Sequence, residues 1–470
     1  MSSDSSSSQP SASPALRVQI ASFNANLQGI PIHHRQDHQH PSLTTWLVPT
    51  VDQQPSSSYA STNPNTPSSH PGLPREAPDI YAVGFQELVP LSVGLSATSS
   101  STLDRVDVEI RRSIRHHQAI VRPDATYPPI SQAGGPESYA LLAKVDLVSI
   151  ALFVYARESQ GFPPHPDNTS VASRVKEIRT AKVGTGLAGL MGNKGAVGVR
   201  LVIADRALGD DQEQHQILTF VSAHLTAHDH NVERRNWDYQ QIVKRLVFEP
   251  SSLTRLPPIQ VGTKASFPSS SSAPDPDELK QRYQSASSSS SSSRYEDIQP
   301  KALDNQEHTI YDTDHLFLFG DLNHRISLSS PHLTKRSLEE TLSRRDWASL
   351  QPFDQLSAQR LSDPPRSFHG LTELSIQEMN IPPTYKYKPV RERREKGKKG
   401  ESGEGGGEKK DTPLLNQLSS KRVPGWTDRI LWASSSSSSS EVANKGGQES
   451  VAYHKQGVEV ELFRSIMEFV

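Results

Sequence analysis

Residues 195–224 read GAVGVRLVIADRALGDDQEQHQILTFVSAH. Gly195–Ala204 and Ile217–His224 are both rich in β-branched and apolar residues, and the polar stretch between them lacks the spacing of a helix face. Strand, loop and strand without a crossover helix argue against a purely parallel sheet. Further strand-like runs lie on either side: Leu16 to Phe23, the DIYAVGF run at 79–85, Tyr139 to Ala156, Val175 to Val183, His315 to Gly320 and Arg429 to Trp432. Between them, Tyr239, Ile242, Val243, Leu246 and Val247 share one face of a helix expected over Asn231–Phe248, with Asp229 or Asn231 as its cap. Ser337–Leu361 gives a weaker helical signal. Helices alternating with strands and hairpin-like neighbours predict a mixed α/β layered sandwich.

The chain has 470 residues, 34% of them hydrophobic, and a mean hydropathy of −0.58. Length alone would suggest roughly two to four domains, but Ser, Pro and Gly tracts consume chain without offering anything to bury. The expected organisation is a disordered leader over residues 1–14 and one domain over 15–470. Low-complexity inserts are expected at about 250–300, 391–411 and 433–448. Lys and Arg number 50 against 52 Asp and Glu, a net charge of −2, so no chain-wide basic field exists to hold nucleic acid. The absence of cysteine excludes disulfides, thiolate zinc sites and every cysteine nucleophile. The first residues carry neither the basic start nor the apolar stretch of a signal peptide, and no apolar run approaches a membrane span, so a soluble cytoplasmic protein is expected.

Oxygen-bearing side chains stand just beyond strand ends: Asn24 and Asn26 after IASF, Glu87 after IYAVGFQ, Asp321 and Asn323 after LFLFG, and Asp428 before RILW. Any one of them alone is an ordinary turn residue, but separate segments repeat the placement. Carboxylates and amides without thiols are the ligand set of a hard cation such as Mg²⁺. A second population is basic: Lys194, His224, Arg325, Lys386, Lys388, Lys421, Arg422 and Arg429. A hard-cation site beside several cationic side chains suits a substrate bearing multiple phosphates.

The segments FNANLQG, DIYAVGFQELVPL, TGLAGLMGNKGAVGVRL, FVSAHLTAHDHNVERRNWDY, HLFLFGDLNHRI, PPTYKYKP and KRVPGWTDRIL resemble, in order, the motifs of the inositol polyphosphate 5-phosphatases. That family lies within the endonuclease/exonuclease/phosphatase superfamily. The resemblance spans about Arg17 to Trp432, inserts excluded. It implies a DNase I-like four-layer α/β sandwich, two facing mixed sheets flanked by helices, with a Mg²⁺ site at one edge. It also implies Glu87 as principal magnesium ligand with Asn24 or Asn26 nearby. Asp321 would polarise the attacking water and Asn323 would orient the water or the scissile phosphate. His224 and Arg325 would face the phosphate pocket, and Asp428 would support the metal side. Lys194 would lie near a 1-phosphate, while Tyr385, Lys386, Lys421 and Arg422 would select a neighbouring ring phosphate.

Several positions depart from the family pattern. Gly425, Thr427 and His324 stand where the family usually has Ala, Cys and Tyr, and are expected to be pocket-wall changes. The family's closing Ser-Asp-His-x-Pro strand does not follow SIMEFV, so a chain cut short of its natural end is expected. His454 is assigned to the strand region before that motif.

Other patterns are set aside. Gly184, Gly186 and Gly189 spell GxGxxG, but the residues after them are glycine-punctuated and β-branched rather than a helix start. Asp312 and Asp314 precede their apolar strand, whereas an aspartyl-phosphate enzyme needs them after it. The His33, His34, His38 and His40 stretch and the Arg391–Lys399 cluster read as solvated loops, the latter with weak attraction to anionic lipid. Three functions remain in competition: a Mg²⁺-dependent phosphomonoesterase acting on the 5-phosphate of phosphoinositides or soluble inositol polyphosphates, a non-catalytic phosphoinositide-binding scaffold, and a nuclease of the same superfamily. TYKYK and KRVPGW favour the inositol reading. A monomer in transient contact with a membrane surface, with no nucleic-acid partner, is the expected state.

Overall fold

In the computed structural model the described residues are 16–27, 43, 47, 78–90, 94, 99–121, 138–159, 170–189, 191–204, 215–252, 303–328, 331–387, 418–419, 421–434, 452–455 and 458–461. The leader, the 391–411 insert, the four-histidine stretch at 33–40, Lys388 and all but the first residues of the other two inserts lie outside them. Eleven strands are described: β1 Leu16–Asn24, β2 Ile80–Gln86, β3 Ser138–Leu147, β4 Ile150–Ser159, β5 Val175–Thr185, β6 Met191–Ala204, β7 His215–His224, β8 His315–Asp321, β9 Asp428–Ser434, β10 Ala452–Lys455 and β11 Val458–Glu461. They make a six-stranded sheet in the order β10-β11-β1-β2-β4-β3 and a five-stranded sheet in the order β5-β6-β7-β8-β9. Both sheets are mixed: β1 pairs parallel with β2 and β11, and β7 with β8, while the remaining neighbours are antiparallel. The opening stretch accordingly forms the antiparallel β6–β7 pair, with Gly195 opposite His224.

Period-two alternation builds the layers. Val18 and Ile20 of β1, Ile80 and Ala82 of β2, Leu218 and Phe220 of β7, and Phe317 and Phe319 of β8 fill the core between the sheets. The intervening residues face outward. Tyr81, Val83, Phe85, Phe153 and Tyr155 pack under helix α1, Ser99–Val121, through Leu103, Val106, Ile110 and Ile114. A short turn α2, Gly186–Gly189, follows β5. On the far side of the second sheet, Val221, Ala223, Leu316, Leu318 and Leu431 pack against Tyr239 and Ile242 of α3, Val232–Arg245, and Leu356 of α5. Helices α4 Lys335–Ser343, α5 Gln355–Arg360 and α6 Ile376–Met379 follow β8. Helix, sheet, sheet and helix make the expected four layers. Among the described residues no helix is long and apolar enough to cross a membrane.

The sheets approach closely at Gly84, where an added Cβ would stand 2.6 Å from Ser222 Oγ and 2.7 Å from a ring carbon of Phe319. Only glycine leaves that space, and its place in β2 sets how near the polar ends of the two sheets can lie.

Some elements differ from the sequence reading. The run 139–156 is a hairpin, not one strand, because Val148 takes a left-handed φ of 56° and reverses the chain between β3 and β4. The weak helix at 337–361 breaks into α4, a 3-10 segment Ala348–Phe353 holding Pro352, and α5, since Asp354 ends one segment and caps the next through Ser357 N at 2.9 Å. Helix α3 stops at Arg245, and Asn231 precedes it without capping; its amide donates to Ala227 O at 2.7 Å instead. The α1 helix was not anticipated, though Leu103, Val106, Ile110 and Ile114 carry its spacing. Strand β9 extends to Ser434, into the insert expected from residue 433.

A buried ion cluster closes the base of the 250–300 insert. Arg179 Nε lies 2.7 Å from Glu177 Oε1, and Arg200 lies 3.4 Å from the same oxygen. The Arg179 guanidinium also donates to Phe248 O at 3.4 Å, Gln306 O at 2.6 Å and Asp304 O at 3.0 Å. Phe248 and His308 pair beside it as an isolated bridge.

The Gly84 contact yields a direct expectation. Gly84→Ala should lower stability by about 1–3 kcal/mol through overpacking between the sheets, read as a lower urea midpoint with an unchanged slope. An unchanged midpoint would mean that the sheets part there without cost.

Candidate active site

Followed along their strands, the inner faces turn from apolar to polar at one edge of the sandwich. β1 and β2 run parallel and end there, as do β7 and β8, while β9 begins there. Ser22 Oγ donates to Gln86 Oε1 and Gln86 Nε2 donates to Ser222 Oγ, both at 3.2 Å, a polar layer that crosses from sheet to sheet. One alternation further, Asn24 Nδ2 donates to Asp321 Oδ2 at 2.7 Å, again between sheets. Asp321 Oδ1 accepts from Asn323 N at 3.0 Å, so both carboxylate oxygens are held. His224 Nε2 lies 3.5 Å from Asp321 Oδ2 and 3.7 Å from Glu87 Oε1. Lys194 Nζ contacts the His224 ring, 3.4 Å from Nδ1 and nearer Nε2. Glu87 leaves β2 with a left-handed φ of 49°, and its carbonyl accepts from Leu27 N at 2.8 Å, which locks the turn.

Asp428 stands opposite Asp321 in the β8–β9 register. Its Oδ2 accepts from Thr427 Oγ1 at 3.1 Å, and Thr384 Oγ1 accepts from the backbone N–H groups of Thr427 and Asp428 at 3.0 and 3.2 Å. Asn323, with φ of 57°, donates to Leu225 O at 3.0 Å and accepts from Arg325 Nη2 at 3.1 Å. The Arg325 guanidinium lies 3.9 Å from the centre of the Tyr385 ring. Tyr385 and Gly425 exchange backbone hydrogen bonds at 3.1 and 3.2 Å, joining PTYKY to KRVPGW.

The structure thus gathers Asn24, Glu87, Lys194, His224, Asp321, Asn323, Arg325, Tyr385 and Asp428. Lys386 Nζ lies 5.8 Å from the Tyr385 ring, and Lys421 and Arg422 are exposed at the rim. Asn26 separates from Asn24. Its side chain is exposed, and its backbone N–H donates to Asn24 Oδ1 at 2.9 Å, so it orients Asn24. Lys194, which the resemblance places near a 1-phosphate, touches His224 in the structure.

Burial opposes ionisation of Asp321, but the hydrogen bond from His224, the Lys194 charge and the Asn24 amide outweigh it and hold the carboxyl below its ordinary range. Burial, then the Lys194 charge, lowers the His224 imidazole and keeps it neutral near pH 7. Burial lowers Lys194 as well, against the pull of Asp321 and Glu87. Slight burial, Arg422 and Arg325 depress His228, an exposed histidine whose ring stacks 5.8 Å from that of His230.

Among the described residues no three His, Asp or Glu side chains gather as a metal cage. The donors near the centre are a half-buried carboxylate, Glu87, and the amide oxygen of Asn24, with Asp321 beside them. One or two carboxylates with room for water fit a hard divalent cation that keeps much of its hydration shell.

The three family departures are not pocket-wall changes. An added Cβ at Gly425 would stand 2.6 Å from Arg325 Cα, so the glycine permits close packing of two site loops. Thr427 is buried and bonded to Thr384 and Asp428. His324 is fully buried edge-on to Phe368, with ring centres 5.6 Å apart. Behind it, Arg429 pairs with Asp354 at 3.0 Å and Glu373 at 2.6 Å. The sequence reading missed Arg235, Asp354, Gln355 and Thr384, which hold the site loops; FDQL at 353–356 stands before a helical run, but nothing local reveals its partners.

Burial, then the charges of Arg235 and Arg429, pushes His324 well below its ordinary range, so the folded state resists the proton that the unfolded state accepts below about pH 6.5. This stability share is present above pH 6.5 and lost as pH falls. A histidine kept neutral in this way costs about 1.4 kcal/mol between pH 7.5 and 5.5. His324→Phe should shrink the fall in urea midpoint over that interval by a corresponding amount, and an unchanged fall would contradict the buried neutral ring.

Residues 34–453 match the model of the Endonuclease/Exonuclease/phosphatase family 2. Synaptojanin-2 of Rattus norvegicus is 27% identical over 357 residues, covering 75% of this chain and 15% of that protein. Type I inositol polyphosphate 5-phosphatase 8 of Arabidopsis thaliana is 26% identical over 379 residues, covering 75% of this chain and 58% of that protein. The chain therefore spans less than two thirds of the length of these curated relatives. Among solved structures, the inositol polyphosphate 5-phosphatase domain of SPsynaptojanin, in complex with inositol (1,4)-bisphosphate and calcium ion, aligns with a TM-score of 0.46 at 21% identity, covering 88% of this chain and 75% of that one. The family match spans most of the chain and the strand-end motifs lie within it or beside it: the chain belongs to the Endonuclease/Exonuclease/phosphatase family 2, and the relatives it resembles include inositol polyphosphate 5-phosphatases.

Proposed function

We propose that the chain is a Mg²⁺-dependent phosphomonoesterase that removes the 5-phosphate of phosphatidylinositol 4,5-bisphosphate or of soluble inositol polyphosphates. The observation that carries the reading is Asp321, held ionised by donors from both sheets, with His224 on one side and the Asn323–Arg325 pair on the other. Hydrolysis of a phosphomonoester needs an oriented water, neutralised non-bridging oxygens and support for the leaving alkoxide.

Asp321 would polarise and aim the attacking water, since its own oxygens are fixed by Asn24 and Asn323. Neutral His224 and the Lys194 ammonium place donors beside the scissile phosphate, and Arg325 offers a guanidinium with donor capacity to spare. Glu87 and Asn24 would hold Mg²⁺, which supplies charge neutralisation at the phosphoryl oxygens, and Asp428 would support that side from β9. Tyr385, Lys386, Lys421 and Arg422 would receive a neighbouring ring phosphate, the last two reaching from an exposed rim that also suits transient contact with an anionic membrane.

The test is phosphate release from phosphatidylinositol 4,5-bisphosphate vesicles and from inositol 1,4,5-trisphosphate in Mg²⁺, expected to stop on chelation. Asp321→Asn should abolish turnover while leaving substrate binding largely intact. Lys421→Ala should weaken substrates that carry the adjacent ring phosphate more than those that lack it. Binding without turnover would favour the scaffold reading, and cleavage of DNA without phosphate release would favour the nuclease.

A further inference from the structure

The dipeptide Asp354-Gln355 opens helix α5 away from the reacting centre, yet it touches three of the segments that build the site. Asp354 holds Arg429 of β9, the neighbour of Asp428. Gln355, 8% exposed, has its whole amide in use. Its Oε1 accepts from Arg325 N at 3.1 Å and from Arg235 Nη2 at 2.7 Å, and its Nε2 donates to Asp229 O at 2.9 Å. Its backbone N–H donates to Arg325 O at 2.9 Å, so Arg325 is gripped at both its amide and its carbonyl. Arg235, also buried, carries the grip into the loop after β7, donating to Thr226 O at 3.2 Å and His228 O at 2.6 Å.

Arg325 needs such support. It follows Asn323, whose φ of 57° bends the chain sharply after β8. Among the described residues its buried Nε has no hydrogen-bond partner. Among the described residues its side chain is held by Asn323 Oδ1 and the face of Tyr385. A backbone shift at residue 325 would therefore be passed directly to the guanidinium.

We propose that Gln355 is a positioning residue for the phosphate-facing Arg325, its side-chain amide fixing the loop after β8 against the loop after β7. The proposal rests on the phosphate-binding role given to Arg325 above. An amide is required because one planar group must offer an acceptor to two N–H donors and a donor to a carbonyl. Glutamate keeps the acceptor for Arg325 and Arg235 but turns a second acceptor toward Asp229 O. Methionine keeps the bulk and loses every side-chain hydrogen bond, the backbone bond to Arg325 O remaining.

With inositol 1,4,5-trisphosphate and Mg²⁺, Gln355→Met should lower kcat/KM about tenfold to a hundredfold, and Gln355→Glu should recover most of that loss. In an Arg325→Ala background the added effect of Gln355→Met should fall below about threefold, because residues acting through one another are not additive. Effects that multiply fully, or a Glu variant no better than Met, would overturn the assignment to Arg325. Amide hydrogen exchange gives a readout independent of turnover: Gln355→Met should speed exchange at Arg325 and over Thr226–Asp229 while strands β7 and β8 stay protected. Unchanged exchange there would overturn the proposal. An inactive wild-type protein with the expected exchange pattern would reject the phosphatase reading and leave the grip on Arg325 standing.

Discussion

Two sheets can share a catalytic edge only if their registers agree, and here the agreement depends on how closely they approach at Gly84. Inner-face residues of β1, β2, β7 and β8 turn from apolar to polar at the same level on both sides of the gap, Ser22 and Gln86 facing Ser222 and, one alternation on, Asn24 facing Asp321. A one-residue slip of any of these strands would exchange its inner and outer sets. Asp321 would then face the helices and Leu318 or Leu322 the gap. The hydrophobic core thus does more than stabilise the sandwich: it phases the polar residues beyond it, and the short Asn24–Asp321 hydrogen bond is where that phasing becomes chemistry.

Charge is distributed by the same geometry. Residues of β9 alternate between Asp428, aimed at the site, and Arg429, aimed away from it into a buried pair of carboxylates. Buried ion pairs of this kind seldom add stability over apolar packing, but removing one partner is costly, so they hold neighbouring segments in a fixed relation. Lys421 and Arg422 are exposed, and in the reading proposed above they would meet a charged substrate. With a net charge of −2 over the whole chain, attraction for anions is a matter of local groups of cations and not of a chain-wide field.

Legibility in the sequence tracks the range of the interactions. Strand ends with their carboxylates and amides were legible because period-two alternation and the turn that ends it are local. The GxGxxG pattern failed on local grounds too, since Gly184 lies within β5, paired with Gly195, and the later glycines bound the short turn that links β5 to β6. Asp314, read as a turn residue, accepts from Ile217 N at 2.8 Å just before β8 begins. The α1 helix was legible but overlooked, its apolar stripe coming directly after a serine run. Gln355 was not legible: its partners lie 30, 120 and 126 residues away, and nothing in FDQL distinguishes it from an ordinary helix start. Thr427, Gly425 and His324 were misjudged for a related reason, because a substitution relative to a family does not say whether the position faces the pocket or the packing behind it.

The ion cluster at Arg179 has an implication for how such a chain can change over time. Between β7 and β8 the chain passes through an isolated bridge in which Phe248 and His308 are hydrogen-bonded to each other, and one guanidinium grips Phe248 and Gln306 on its two sides. The two ends are thus held by contacts among described residues, whatever length of chain joins them. For a flexible loop closed at such a junction, each doubling of length costs only on the order of 0.6 kcal/mol. Serine tracts, charged stretches or an entire binding module could be exchanged at that junction with little consequence for the catalytic edge, which leaves the span free to diverge while the two sheets stay in register.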